Sequence, residues 1–140
     1  MKKLEIIIVI VVVGILGLIT WSQFDLAKKK SRDVERKSEL HEISKAIKLY
    51  YADYNKLPDE ELINSLFGKE WRDGDYVYMK QIPSENYTDQ EYCYKKYENN
   101  VFGLLTNLEN KKDVDCFGKS IECGENNYCF EDKMSAVVSN

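Results

Sequence analysis

The fold of this chain is decided by its beginning, which reads Leu4-Glu5-Ile6-Ile7-Ile8-Val9-Ile10-Val11-Val12-Val13-Gly14-Ile15-Leu16-Gly17-Leu18-Ile19-Thr20-Trp21. Almost every residue in it is apolar, and the run is long enough to cross the hydrocarbon core of a bilayer as a helix, which takes about 20 residues. Its one charged residue is Glu5. We therefore predict that residues 1–24 form an apolar, membrane-spanning helix.

The residues that flank this run predict an orientation. Lys2 and Lys3 precede it, and positively charged residues stay on the cytoplasmic side of a membrane. The run is longer than the apolar region of a signal peptide, and no small-residue cleavage site follows Trp21. We therefore expect a retained single-pass segment in the inner or cytoplasmic membrane, with the rest of the chain outside.

The helix is predicted to continue well beyond the apolar run, because no proline or loop signal occurs before residue 54. A polar stretch comes first, and then large residues recur at steps of three and four, which is the spacing of one helix face. This stripe comprises Arg36, Leu40, Ile43, Ile47, Tyr50 and Tyr54. We predict one helix over about residues 1–54, some 80 Å long, whose amphipathic half (residues 25–55) faces a second layer.

Residues 56–140 are predicted to form a globular head. Asn55 and Pro58 end the long helix, and a short helix follows over residues 59–68. Strands are predicted at 76–79, 92–97, 101–108 and 127–130, while residues 71–75 are interpreted as a turn. The expected fold is α+β, with the long helix packed on a small antiparallel sheet of three to four strands.

Charge is divided unevenly along the 140 residues. Residues 1–55 carry ten Lys and Arg against seven Asp and Glu, whereas residues 56–140 carry ten against seventeen. Phosphate binding needs a basic face, so an acidic head argues against nucleic acid as a partner. In the basic run Lys28-Lys29-Lys30-Ser31-Arg32, acidic residues lie close by on both sides, which favours a solvated helix face.

The four cysteines are Cys93, Cys116, Cys123 and Cys129. Their even number beyond an apolar segment favours two disulfides in an oxidising compartment. Zinc is the alternative, but the gap from Cys123 to Cys129 is too wide for a CxxC knuckle and the single histidine lies in the long helix. Three pairings are possible, and the sequence does not choose among them.

Glu5 has two interpretations. It can be an interfacial residue that touches water near a helix end, where a charge costs little. Alternatively it is ionised opposite a positive partner, for which the N-terminal amine of Met1 in a neighbouring copy is the nearest class of group. Such a pair in a low-dielectric place would set the register of the copies, mainly by penalising positions in which either charge is unpaired.

These residues resemble a known family. Glu5, the Ile/Val run and Gly14-Ile15-Leu16 are similar to the start of mature type IV pilins and pseudopilins, and residues 31–58 resemble their passage from helix to head. The resemblance implies a long bent helix carrying a small head, polymerised into a helical filament. It implies that the position of Glu5 pairs with the N-terminal amine of an adjacent subunit.

The same resemblance carries further implications. Met1 would be the mature, N-methylated first residue, cut from its leader by a prepilin peptidase and handed to a pilus assembly machinery. Gly14 and Gly17 would lie where the helix can loosen in the filament, and close helix packing is the alternative for both glycines. Lys2 and Lys3 depart from the family pattern, as does Ser22 at a position where proline is frequent.

Other chemistry has little support in the sequence. Asp73, Asp75, Asp113 and Asp115 lie near turns and are candidates for calcium, but the EF-hand pattern is absent. No catalytic or phosphate-binding motif occurs, so we predict no enzyme, no metal and no cofactor.

Two functions are compatible with the sequence. The first is a structural subunit of a type IV pilus or of a secretion or competence pseudopilus, located in the membrane before assembly and on the cell surface afterwards. The second is a monomeric, membrane-anchored extracellular binding module. Glu5 distinguishes them, because a plain anchor has no use for a carboxylate at this position. The role of the filament in adhesion, motility, DNA uptake or secretion is left open.

Overall fold

The computed structural model describes residues 2–86, 91–110, 112–116 and 118–136, and for residues 18–22 it describes the backbone alone. Within these residues the chain is α+β, with one long N-terminal helix and several small antiparallel sheets. The expected fold class is therefore confirmed, although the β-structure is divided among three sheets.

Helix α1 spans Lys2–Tyr54, which is 53 residues, and confirms the single long helix. It ends because Asn55 adopts a left-handed backbone conformation with φ of 52°. Asparagine tolerates that conformation better than most residues, which makes it a common helix terminator. The N–H of Asn55 still donates to the carbonyl of Tyr51 at 2.7 Å. The second predicted helix is also present, as α2 over Glu60–Leu66.

Seven strands follow the helices: β1 Trp71–Asp73, β2 Tyr76–Met79, β3 Cys93–Lys96, β4 Val101–Thr106, β5 Ile121–Cys123, β6 Asn126–Tyr128 and β7 Phe130–Ser135. β3, β4 and β7 form the largest sheet, in that order and antiparallel throughout. β1 and β2 form one hairpin, and β5 and β6 form another.

The structure corrects two predictions in the head. Residues 71–75 are not wholly a turn, because Trp71–Asp73 is a strand and only residues 74 and 75 turn the hairpin, with Gly74 at φ of 56°. The strand predicted at 127–130 is divided between β6 and β7, with a bend at Cys129. The long partner of β4 is instead β7, whose polar sequence lacks the apolar alternation on which the prediction rested.

The core lies between the amphipathic half of α1 and the largest sheet, as the stripe predicts. Leu40, Ile43 and Ile47 of α1 are completely buried against Phe102 and Leu104 of β4. Burying each of these side chains contributes about 1.5–3 kcal/mol relative to leaving it exposed. The head is therefore attached to α1 along a continuous apolar seam.

The predicted membrane segment is not supported. Among the residues that the structure describes, no helix combines the length and the apolar character needed to cross a membrane. The expected location as a single-pass membrane protein with its head outside, and at the cell surface after assembly, is therefore wrong on this finding.

Candidate assembly surface

The most unusual surface of the molecule is the first part of α1, which we call the rod (residues 2–17). Its large apolar side chains from Leu4 to Leu16 are each 49% to 66% exposed. Soluble monomers rarely expose contiguous apolar patches larger than a few hundred Å², and larger ones mark interaction sites. The rod is thus the leading candidate for an interface.

Glu5 lies on the rod and is exposed. Within the part of the chain that the structure describes, no Lys or Arg makes an ion pair with it. Met1, whose amine is the predicted partner from a neighbouring copy, lies outside the described residues. The structure of a single chain leaves the proposed pair between copies as a prediction.

Gly14 and Gly17 do not interrupt α1, which is continuous through both. A Cβ atom built at either glycine meets no other atom within 4 Å. Neither glycine is therefore required by packing inside one chain, so both roles predicted for them depend on contacts with other copies.

A cluster of buried charges joins α1 to the head. We call it the ionic clamp, and it consists of Arg32, Asp33, Arg36, Glu85 and Glu109. The Arg36 side chain is only 1% exposed, and its Nε and Nη2 donate to the Glu85 carboxylate at 2.6 and 3.2 Å. Arg36 also donates to Asp33 at 2.6 Å and to Glu109 at 2.8 Å. One guanidinium thereby connects α1 to two separate loops.

The other members complete the hydrogen bonding of the clamp. Asp33 accepts from the backbone N–H groups of Glu109 and Asn110 at 2.8 and 2.9 Å. Arg32 makes a bidentate pair with Glu109, at 2.7 and 2.5 Å. Arginine suits this site because its planar fork of donors matches carboxylate geometry. The clamp holds the loop after β4 against the turn of α1 nearest the rod.

The basic run is largely a solvated face, as interpreted, since Lys28, Lys30 and Ser31 are exposed, and the clamp lies at its end. Asp33 and Arg36 are buried, and Arg32 is partly buried. A signal for this was present in the sequence, because Arg36 is in phase with the apolar stripe and Asp33 lies one turn before it. The carboxylates from the head carried no such signal, since Glu85 and Glu109 lie 49 and 73 residues from Arg36 in sequence.

The clamp predicts a pH dependence of stability. Hydrogen bonds from Arg32 are the main cause that lowers the pKa of Glu109 from 4.5 to about 2. A lowered pKa in the folded state means that ionised Glu109 stabilises the fold above about pH 4.5, and that this stabilisation is lost as the pH falls towards 2. We expect Glu109→Gln to be less stable than the native chain at pH 7 and to approach it at pH 3, as measured by urea unfolding.

The matched control is Glu125→Gln, at an exposed carboxylate in the turn of the β5–β6 hairpin. It should follow the native chain at every pH. If Glu109→Gln differed from the native chain by the same amount at both pH values, ionisation of Glu109 would not be the source of the stabilisation.

Two disulfides are present, as predicted, and the structure assigns their pairing. Cys93 pairs with Cys123, which joins β3 to β5, and Cys116 pairs with Cys129, which joins the loop after β4 to the bend before β7. Their Cα atoms are 6.3 and 4.6 Å apart, within or close to the range usual for disulfides. Together they attach the β5–β6 hairpin to the largest sheet.

The two disulfides are expected to differ in their contribution to stability. They close loops with sequence separations of 30 and 13 residues. Chain entropy then predicts about 3.6 kcal/mol for Cys93–Cys123 and about 2.9 kcal/mol for Cys116–Cys129. Urea unfolding of the two double alanine variants should show the larger loss for the first pair. A larger loss for the second pair would mean that native contacts near Cys129, not loop closure, dominate.

The end of the head farthest from the rod carries an aromatic cluster. Tyr50 and Tyr54 of α1 are 4.6 Å apart between ring centroids, and Tyr78 lies 5.4 Å from Tyr50 and 5.0 Å from Trp71. Carboxylates accept the hydroxyl hydrogen bonds of this cluster, with Asp53 bound to Tyr78 at 2.7 Å. These contacts hold the β1–β2 hairpin against the last turn of α1.

Three of the four carboxylates considered for calcium contact other side chains. Asp113 and Asp115 lie 3.3 and 2.8 Å from the Nζ of Lys37, and Asp73 accepts a hydrogen bond from Tyr54. Among the described residues, no group of three or more His, Cys, Asp or Glu side chains is placed to hold a metal ion. Lys37 of α1 therefore supplies the positive charge opposite Asp113 and Asp115.

In comparisons with known proteins, no family model, no curated protein and no solved structure matches this chain. The resemblance to type IV pilins thus rests on the residues quoted above.

Proposed function

We propose that this protein is a structural subunit that polymerises through its rod into a helical filament of the type IV pilin or pseudopilin class. The observation that carries the proposal is the rod itself, an exposed apolar helix that is continuous with a folded and doubly cross-linked head. Packing rods against one another would remove this apolar surface from water, at about 25 cal/mol per Å².

The arrangement of the head supports the same proposal. A subunit in a filament has to transmit force between its rod and its head without separating them. Two such attachments are the apolar seam between α1 and the largest sheet and the ionic clamp at the end of the head that faces the rod. A pilin-like fold, identical copies as partners, and a prepilin peptidase and assembly machinery that act on the chain are parts of this proposal.

Assembly of the purified full chain tests the proposal. Removing non-ionic detergent from the native chain should produce helical fibres visible by electron microscopy and recoverable by sedimentation. The variant Val12→Asp places a charge in the middle of the rod, where burial between copies would cost several kcal/mol. We expect it to stay in the supernatant.

Leu49→Asp is the matched control, because Leu49 is also an exposed apolar residue of α1 but lies far from the rod. It should leave the rod-driven step intact and form fibres. If the native chain gave only monomers or amorphous aggregates, or if Val12→Asp formed the same fibres, the rod would not be the polymerisation surface.

A further inference from the structure

The head is electrically polar along α1. At its far end the acidic residues Asp53, Asp59, Glu60, Glu61, Asp73 and Asp75 outnumber the basic residues Lys56, Lys69 and Arg72. At the end that faces the rod, Lys28, Lys29, Lys30, Arg32 and Lys112 outnumber Asp25, Asp33 and Glu109. Lys30 and Asp53 are separated by about 35 Å along the helix, at 1.5 Å per residue. Opposite charges therefore occupy opposite ends of one elongated body.

The basic end is concave. Between α1 and the loop after β4 lie two adjoining depressions of about 450 and 380 Å³, and Lys30, Asn110 and Lys112 line both. Three carboxylates also line the depressions, and each is paired: Asp33 with Arg36, Asp113 with Lys37 and Glu109 with Arg32. Because Lys30 and Lys112 add uncompensated positive charge, we call this surface the basic groove. Exposed apolar side chains lie among its lysines, with Val114 85% exposed and Val34 66% exposed. Lys30 and Lys112 make no ion pair or hydrogen bond with any described residue.

The opposite end has the matching chemistry. Tyr54, Leu62 and Tyr76 are exposed there. Glu61 and Asp75 are exposed as well, and they form no hydrogen bond or ion pair with any described residue. We call this surface the acidic end. Both surfaces thus combine apolar area, which supplies affinity, with charges of opposite sign, which supply orientation.

We propose that the acidic end of one copy docks into the basic groove of the next copy. This rests on the proposed function and adds to it an interface between heads. Two different patches that fit each other form a head-to-tail contact, and such contacts generate open helical filaments when the rotation does not close a ring. The polarity of the head would then give the filament its direction, while the rods supply most of the buried apolar area.

Carbodiimide cross-linking tests this contact directly. A mixture of unlabelled and ¹⁵N-labelled full chains is treated during assembly, and cross-linked peptides are identified by mass. We expect mixed-isotope amide links from Lys30 or Lys112 to Glu61 or Asp75. Links only within one chain, or links from the groove lysines to Glu5 of another copy, would overturn the proposal.

Charge reversal provides the second measurement. The variants Lys30→Glu/Lys112→Glu and Glu61→Lys/Asp75→Lys should each raise the critical concentration for fibres about tenfold, because like charges then face each other. Assembly should recover in an equimolar mixture of the two variants, where alternating copies again bring opposite charges together, and also in a chain that carries all four substitutions, where both surfaces are reversed together. Lys119→Glu, an exposed reversal elsewhere on the head, is the matched control.

These experiments distinguish failure of the contact between heads from failure of polymerisation through the rod. Fibres that form equally well in every charge variant would overturn the contact between heads and leave polymerisation through the rod in place. A native chain that forms no fibres would contradict the proposed function, and the absence of mixed-isotope links would then also overturn the contact.

Discussion

Arg36→Met is expected to lower the unfolding free energy of the head by about 3–5 kcal/mol, because it removes one partner of a buried charge cluster. Methionine matches the volume and flexibility of the arginine stem, so the loss reports charge and hydrogen bonding more than a cavity. Glu85 is the residue most affected. Its side chain is 2% exposed, and it accepts two hydrogen bonds from Arg36, at 2.6 and 3.2 Å.

A second variant distinguishes two contributions to this loss: the cost of leaving the Glu85 carboxylate buried without Arg36, and the net stabilisation from the Arg36–Glu85 ion pair. Asp33 keeps its two backbone donors without Arg36, and Glu109 keeps Arg32, whereas buried Glu85 loses two charge-assisted hydrogen bonds. Adding Glu85→Gln to Arg36→Met should therefore restore a substantial part of the lost stability. Unfolding in urea, followed by the near-ultraviolet signal of Trp71 and its neighbouring tyrosines in the full chain in detergent, provides the measurement.

Lys45→Ala is the control for this experiment. Lys45 and Glu42 form an ion pair at 2.8 Å on the same helix, but both side chains are more than half exposed. Exposed pairs contribute only about 0–1 kcal/mol. If Arg36→Met cost no more than Lys45→Ala, the clamp would be a solvated network and would not hold the head to α1.

The long helix was predictable because its two halves follow simple periodic rules. An apolar run without breakers predicts a helix, and the spacing of Leu40, Ile43 and Ile47 predicts the face that is buried. Its end was also predictable, since Asn55 and Pro58 act on the backbone locally. Such rules relate only residues that are close in sequence, so they do not predict which distant strands or side chains pair with each other.

The head shows that limit in its strands. β4 is largely apolar, and a tight turn joins it to β3, so their pairing follows from local sequence. β7 runs Phe130-Glu131-Asp132-Lys133-Met134-Ser135 and lies at the edge of its sheet. An edge strand is solvated along one side, so its composition is polar and its pairing with β4 is decided by tertiary contacts.

The partners in the ionic clamp and in the disulfides could not be predicted from the sequence either, because local rules do not reach residues that are distant along the chain. Partners in the clamp and in the disulfides come from distant parts of the chain, and charges or cysteines have no periodicity that selects one partner over another. Cys93 pairs with Cys123 because the β5–β6 hairpin lies against β3. The rod, in contrast, could be predicted, because its apolar character is visible in one continuous stretch of sequence and depends on no distant part of the chain.

Glu5→Ala is expected to raise the critical concentration for fibre formation at least about 100-fold. Packed rods exclude water, and an N-terminal amine left there without its carboxylate costs about 3–5 kcal/mol per subunit, where each 1.4 kcal/mol is a factor of ten. Glu5→Gln should behave similarly, since it keeps the shape but not the charge. Sedimentation of the full chain at a series of concentrations after detergent removal gives the critical concentration of each variant.

Glu35→Ala is the matched control, because Glu35 is an exposed carboxylate of the same helix outside the rod. Acetylation of the N-terminal amine should reproduce the Glu5→Ala defect, and it should add nothing to that defect in the Glu5→Ala chain, because each change removes the same pair. Additive defects would mean that Glu5 and the amine act separately. Fibres of unchanged critical concentration in Glu5→Ala would mean that the rods assemble by apolar packing alone and that Glu5 does not set their register.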